Sequence, residues 1–167
     1  TIRSADFQAR HLLLALDAGE PRRAAKVLCH EAMSLAVLGA PAARVAAVDA
    51  QAATLVRRLA DPLLDARLAF SRGMNHANVL RAGPARTLLD EAERILVERC
   101  RAPWYDLALV RYWAVQILVL GDAWDEIDRR LPRYLADARA HGDVFAVVDC
   151  TLQSSRGLIA RGDLVGA

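Results

Sequence analysis

Apolar and polar positions along the chain fall into blocks of about 20 residues, each rich in Ala, Leu, Val and Arg. Pro21, Pro41, Pro62, Pro84 and Pro103, then Gly121-Asp122, Gly142-Asp143 and Gly162-Asp163, cut the blocks apart. β-branched and aromatic runs of strand length are nearly absent, so the pattern predicts helices and no sheet. Regular helices on a regular pitch predict a stack of helical hairpins, in which no hairpin buries its apolar face alone.

The turn signals predict eight helices. The first runs from Ser4 to Ala18, the second from Pro21 to Leu38, and the third from Pro41 to Ala60. Asp61-Pro62 supplies a cap and a first-turn proline for the fourth helix. That helix is expected to end at Gly83, with Pro84 opening the fifth, which runs to Cys100. Pro103 begins the sixth, to Leu120. Asp122 and Asp143 are the expected caps of the seventh and eighth, which end at His141 and Arg161. Pro132 falls inside the seventh and is expected to kink or split it, because it removes one hydrogen bond and clashes with the preceding turn.

The eight helices pair into a repeat of about 41 residues, on which the small residues Ala32, Gly73, Ala114 and Ser155 recur. A small residue in mid-helix lets a neighbouring helix press close, and a glycine there costs roughly 1 kcal/mol relative to alanine unless packing compensates. Gly73, Ala85, Leu89 and Ala92 have the spacing of a tetratricopeptide repeat. In the second helices of the flanking repeats Arg44, Gln51, Glu126 and Arg133 take the small positions. The expected fold is all-α: a right-handed solenoid of antiparallel, tetratricopeptide-like helical hairpins, forming one domain over residues 1–167.

Composition narrows the function classes. The chain has 167 residues, enough for a substantial core, and is 54% apolar with 5% aromatics. The formal net charge of +2 is small, and no basic face is marked out for nucleic acid. Cys29, Cys100 and Cys150 share no close spacing, which predicts reduced thiols rather than a disulfide framework. The most apolar stretch, Leu107 to Leu120, is shorter than the roughly 18 residues of a membrane span and carries Arg111 and Gln116. The chain begins at Thr1 and stops at what resembles the start of another helix. It therefore reads as a piece of a longer cytoplasmic protein.

Several stretches carry a family resemblance: Ala5-Asp6-Phe7-Gln8-Ala9-Arg10-His11-Leu12-Leu13-Leu14-Ala15-Leu16-Asp17-Ala18-Gly19-Glu20-Pro21, Glu98-Arg99-Cys100, Arg129-Arg130-Leu131-Pro132 and Ala138-Arg139-Ala140-His141-Gly142-Asp143. Together they resemble the helical-repeat region that follows the catalytic domain in large bacterial serine/threonine protein kinases of the myxobacterial type. The Pro84 helix start departs from those repeats, which more often carry a polar or aromatic residue there. The resemblance implies a non-catalytic part of such a kinase. The chain itself carries no glycine-rich phosphate loop and none of the kinase catalytic signatures.

Candidate chemistry is sparse. His11, His30, His76 and His141 are not paired with another His or a Cys at i, i+4, so no metal site is spelled out and no cofactor is expected. Cys29 and His30 are adjacent and point about 100° apart on a helix. His141 precedes Gly142 at a helix end, where the dipole favours a partly cationic ring. Asp122, Asp125, Glu126 and Asp128 read as a solvated helix start followed by Arg129 and Arg130. Trp104, Tyr105, Tyr112 and Trp113 lie on a helix that is apolar nearly all round, and are expected to be core. Ser154 and Ser155 precede Arg156, but a lone Ser pair is weak evidence for a nucleophile or a phosphosite.

The functional expectation comes from the 41-residue register. In the first helix of each repeat, positions at i, i+4 and i+8 are repeatedly polar: Lys26, His30 and Ser34; Arg67, Ser71 and Asn75; Ala108, Tyr112 and Gln116; Asp149, Gln153 and Gly157. Residues four apart share a helix face, and in tetratricopeptide-like solenoids the first helices line a concave groove. Lys26, His30, Arg67, Ser71, Asn75, Tyr112, Gln116, Asp149 and Gln153 are therefore the candidate groove residues for a protein or peptide partner, expected to be at least partly exposed. A plain solvated face is the competing reading. The function expected is a regulatory or protein-interaction module of a kinase, with the sensing helical region of an ATPase-linked transcription regulator as the alternative.

Overall fold

The computed structural model describes residues 2–101 and 103–166; Thr1, Ala102 and Ala167 lie outside the described residues, as do the side chains of Ile2, Ser4 and Ala5. The described residues form eight helices and no strand: α1 (Ile2–Asp17), α2 (Pro21–Val37), α3 (Ala42–Leu59), α4 (Pro62–Asn78), α5 (Ala82–Arg99), α6 (Trp104–Leu120), α7 (Trp124–His141) and α8 (Val144–Ala160). The chain is all-α, and it divides into two compact units, Thr1–Pro103 and Trp104–Ala167.

Local chemistry accounts for most helix ends. The Asp61 carboxylate accepts from the Leu63 N–H at 2.9 Å, with Pro62 in the first turn of α4. Asp143 does the same for α8, accepting from the Ala146 N–H at 3.0 Å. These side chains satisfy amides that have no partner within the helix. Gly142 ends α7 with φ of +67°, a left-handed conformation in which a side chain would be strained.

Three boundaries differ from the sequence reading. α4 stops at Asn78, not Gly83, because the turn is made by Val79, Leu80 and Arg81, with Leu80 at φ +57°. Pro84 then falls in the third position of α5, where its missing N–H removes no helical bond. Asp122 does not cap α7: it adopts φ +53°, its carboxylate accepts from the Trp124 indole N–H, and Ala123 is the cap residue. Pro132 neither splits nor ends α7, which continues unbroken to His141. Ile127, Leu131 and Tyr134 are buried on either side of that proline and anchor the helix across the missing bond.

In the first unit, α2 packs on α1, α3 and α4, and α4 packs on α2, α3 and α5. Within it, packed helices are joined by two to four residues, so consecutive ones run antiparallel. Ala25, Leu28, Cys29, Ala52, Val56 and Leu64 form the α2–α3–α4 core. The α4–α5 crossing is close at Gly73: a Cβ there would lie 3.2 Å from Leu89 Cγ and 3.3 Å from the Ala85 carbonyl oxygen. Ala85, Leu89 and Ala92 are fully buried against this crossing, the packing reason that the sequence demanded of a mid-helix glycine. Arg72 of α4 holds Asp49 of α3 through two nitrogens, at 3.0 Å from Nε and 2.8 Å from Nη2.

In the second unit, α7 packs on both α6 and α8, and α6 packs on α8. Val115, Leu118, Ile127, Leu131, Tyr134 and Cys150 form its core. Arg161, just past α8, reaches Asp128 of α7 at 2.6 Å. The aromatic residues of α6 depart from expectation. Trp104 and Tyr105 are 42% and 76% exposed, and Tyr112 and Trp113 are half-buried. The buried face of α6 is instead Leu107, Val110, Arg111, Ala114, Val115, Ile117 and Leu118. An all-round apolar helix gives no sequence cue to its inner face. Among the described residues, no helix is long and apolar enough to cross a membrane.

Candidate functional site

In the first unit α2 packs beside α4, and in the second α6 packs beside α8; these are the helices that carry the expected polar stripes. The polar positions assigned to them divide into those that face solvent and those that hold helices together.

In the first unit Lys26 and His30 are exposed on α2, and Arg67 and Asn75 are half-buried on α4. Partial desolvation of the ring, which the exposed residue does not wholly escape, and then the nearby His11 hold the His30 imidazole below its usual range; Arg67 and Lys26 act in the same direction and Glu31 opposes them. Asn75 Oδ1 is enclosed and has no hydrogen-bond partner among the described residues. Ser71 is not a groove residue. It is 2% exposed, and its hydroxyl donates to the Cys29 carbonyl of α2 at 2.6 Å. The expectation of exposure fails there because the middle of the α4 stripe is the α2–α4 seam.

In the second unit Tyr112 and Asp149 come together in an open cleft that Gln116, though half-buried on α6, does not line. Gln153 is 4% exposed and is likewise a packing residue, against expectation: its amide nitrogen donates to Asp149 Oδ1 at 3.0 Å and its carbonyl accepts from Arg156 at 3.1 Å. The cleft is shallow and open, and the roughly 520 Å³ free of protein atoms around it includes open solvent. Helix α6 contributes Trp104, Arg111 and Tyr112, α7 contributes Tyr134, Asp137 and His141, and α8 contributes Phe145 and Asp149, with Asp143 at its cap.

The one guanidinium on the wall is already engaged. Arg111 lies 4.4 Å above the Tyr134 ring and 2.8 Å from Asp137, with its side chain only 10% exposed. At one edge the Trp104 and His141 rings meet at a tilt of 31° with centroids 3.4 Å apart, and His141 Nδ1 is 2.7 Å from the Asp137 carbonyl oxygen. His141 thus occupies the helix-end position expected of it and adds a ring contact that the sequence did not suggest. Across the cleft the Tyr112 and Phe145 rings approach to 6.1 Å. Burial raises the Asp149 carboxyl above its ordinary 3.8, with the Gln153 hydrogen bond and Arg156 opposing the shift.

Sequence reasoning missed Arg111, Asp137, His141 and Phe145 as cleft residues. Asp137 and His141 sit on a second helix, outside the register that was searched, and only packing brings them to the cleft. Among the described residues, no three His, Cys, Asp or Glu are grouped as metal ligands would be. No protein-family model, curated protein or solved structure matches the chain.

Proposed function

We infer that the chain is a non-catalytic, partner-binding module whose hairpins follow one another as in a right-handed tetratricopeptide-like solenoid. The observation that carries this reading is the pairing of first helices, α2 with α4 and α6 with α8, with α2, α4 and α6 each also packed on the helix that follows it. In such an arrangement the first helices supply the binding surface. Lys26, His30, Arg67 and Asn75 are the polar contacts of the first unit's surface and Tyr112, Gln116 and Asp149 those of the second unit's, while Ser71 and Gln153 belong to the scaffold. The partner is a protein or peptide segment. The resemblance of the α1 and α7 stretches to helical repeats of bacterial serine/threonine kinases supports a cytoplasmic regulatory role beside a kinase domain, where the segment bound belongs to the parent chain.

The test is a titration of the chain against the remainder of its parent protein. Replacing Arg67 and Asn75 together with Ala should weaken capture by about 1–3 kcal/mol, the range of interface residues that matter, while thermal stability changes little. Equal binding by wild type and double variant removes the first-unit surface from the proposal. Phosphoryl transfer by the chain alone overturns its non-catalytic character.

A further inference from the structure

The α6–α8 cleft repeats one chemical arrangement twice and fills it once. On one wall, a carboxylate (Asp137) and an aromatic ring (Tyr134) hold the guanidinium of Arg111, at 2.8 Å and 4.4 Å. On the other, a carboxylate (Asp149) and two rings (Tyr112 and Phe145) face the same space, and among the described residues no cation is in ion-pair contact with that carboxylate. The hydrogen bond that Asp149 receives comes from the neutral Gln153 amide; Arg156 hydrogen-bonds Gln153, and its charge acts on Asp149 only from beyond ion-pair contact. A half-buried carboxylate beside aromatic faces attracts a positive group by charge and by the ring quadrupole together. The charge balance has the same sign. Asp137, Asp143 and Asp149 line the cleft against one guanidinium, Arg111, which its own contacts already occupy.

We propose that the cleft between α6 and α8 is a binding site for a cationic side chain, a guanidinium or an ammonium on a partner segment, seated against Tyr112 and Phe145 with Asp149 as its counter-charge. This rests on the partner-binding reading for its biological setting, but the site's chemistry is tested without the parent protein. Arginine is the better fit of the two cations, because a planar guanidinium stacks on a ring and pairs with a carboxylate at once, as Arg111 does on the opposite wall.

The experiment is an NMR titration of the whole chain with four capped tripeptides, Gly-X-Gly, where X is arginine, lysine, citrulline or glutamate. The Trp104 indole and Tyr112 ring signals report on the cleft. The arginine and lysine peptides should bind saturably, and arginine about tenfold more tightly than its uncharged isostere citrulline. Asp149→Asn should remove that discrimination while leaving weak citrulline binding unchanged. Phe145→Ala, at a ring that is 64% exposed and so of little weight in the core, should weaken arginine binding with no change in melting temperature. Equal affinity for arginine and citrulline, preference for glutamate, or no saturable binding overturns the proposal. If the cationic peptides bind here while the parent's other domains do not, the site stands and the kinase setting falls.

Discussion

The Ser71 hydroxyl donates to the Cys29 main-chain oxygen across 2.6 Å, joining the middle of α4 to the middle of α2. Both groups are buried, so the bond forms away from competing water. Ser71→Ala removes the donor but leaves the carbonyl in the α2 hydrogen-bond ladder. The expected loss is therefore that of a single hydrogen bond, about 0.5–1.5 kcal/mol. Urea unfolding with an unchanged slope measures it. A variant as stable as wild type would mean that the tie contributes nothing.

Gly73 lies where α4 and α5 touch. A methyl group there would press on Leu89 at 3.2 Å, which can yield, and on the Ala85 carbonyl at 3.3 Å, which is main chain and cannot yield cheaply. Gly73→Ala sets this crowding against a helix-propensity gain of about 1 kcal/mol, so the net change should be small. Gly73→Leu has no room to be accommodated and should destabilise by about 1–3 kcal/mol. Thermal melts of both variants beside wild type test the contrast, and a neutral leucine variant would contradict the close crossing.

Leu80 holds φ at +57° in the α4–α5 turn with its side chain 85% exposed. A left-handed conformation costs a non-glycine residue about 1–2 kcal/mol. Leu80→Gly removes that cost, loses little packing and adds some freedom to the unfolded chain. The net effect should be a stabilisation of about 0.5–1 kcal/mol, read as a raised denaturation midpoint. Destabilisation by the glycine would mean that Leu80 packs in a way its exposure does not suggest.

Asp149 gives a pH dependence of definite sign. Its folded carboxyl titrates above the ordinary 3.8, with burial as the main cause. The native state therefore holds this proton more tightly than the unfolded chain does. The associated stability is present below the ordinary carboxyl range and is lost as pH rises through the raised one. Asp149→Asn keeps an acceptor for Gln153 and should melt higher than wild type at neutral pH, with the difference shrinking as the pH is lowered toward 4. Parallel melting curves across that interval would remove burial as the cause.

Much of the helical punctuation was legible because it is written in single residues. Asp61-Pro62 and Asp143 cap as their types require, and Gly73 marks the close crossing by its lack of a side chain. The Val79–Leu80–Arg81 turn was not legible, since nothing in its residue types announces a left-handed leucine, while Gly83-Pro84 nearby announces a break that does not occur. The candidate site was half legible. Residues four apart on a helix drift by about 40°, so a stripe at i, i+4 and i+8 sweeps about 80° around the axis. That sweep is wide enough to carry Ser71 and Gln153 into a seam while Lys26, Arg67 and Asp149 stay near solvent. The cleft's other residues depend on α7 packing against α6 and α8, a tertiary fact with no periodic trace.

Each compact unit encloses one thiol in its core: Cys29 in the first and Cys150 in the second. Burial pushes both up to about 11, and the neighbouring carboxylates of Asp49 and Asp149 act in the same direction. Only thiolates attack disulfide and maleimide reagents, so these two sulfurs stay silent until the helices around them open. Cys100, which is half-buried, should react first and can be blocked beforehand. The two slow labelling rates that remain then clock the local opening of the two cores separately in one sample, at the native sequence and without an added probe.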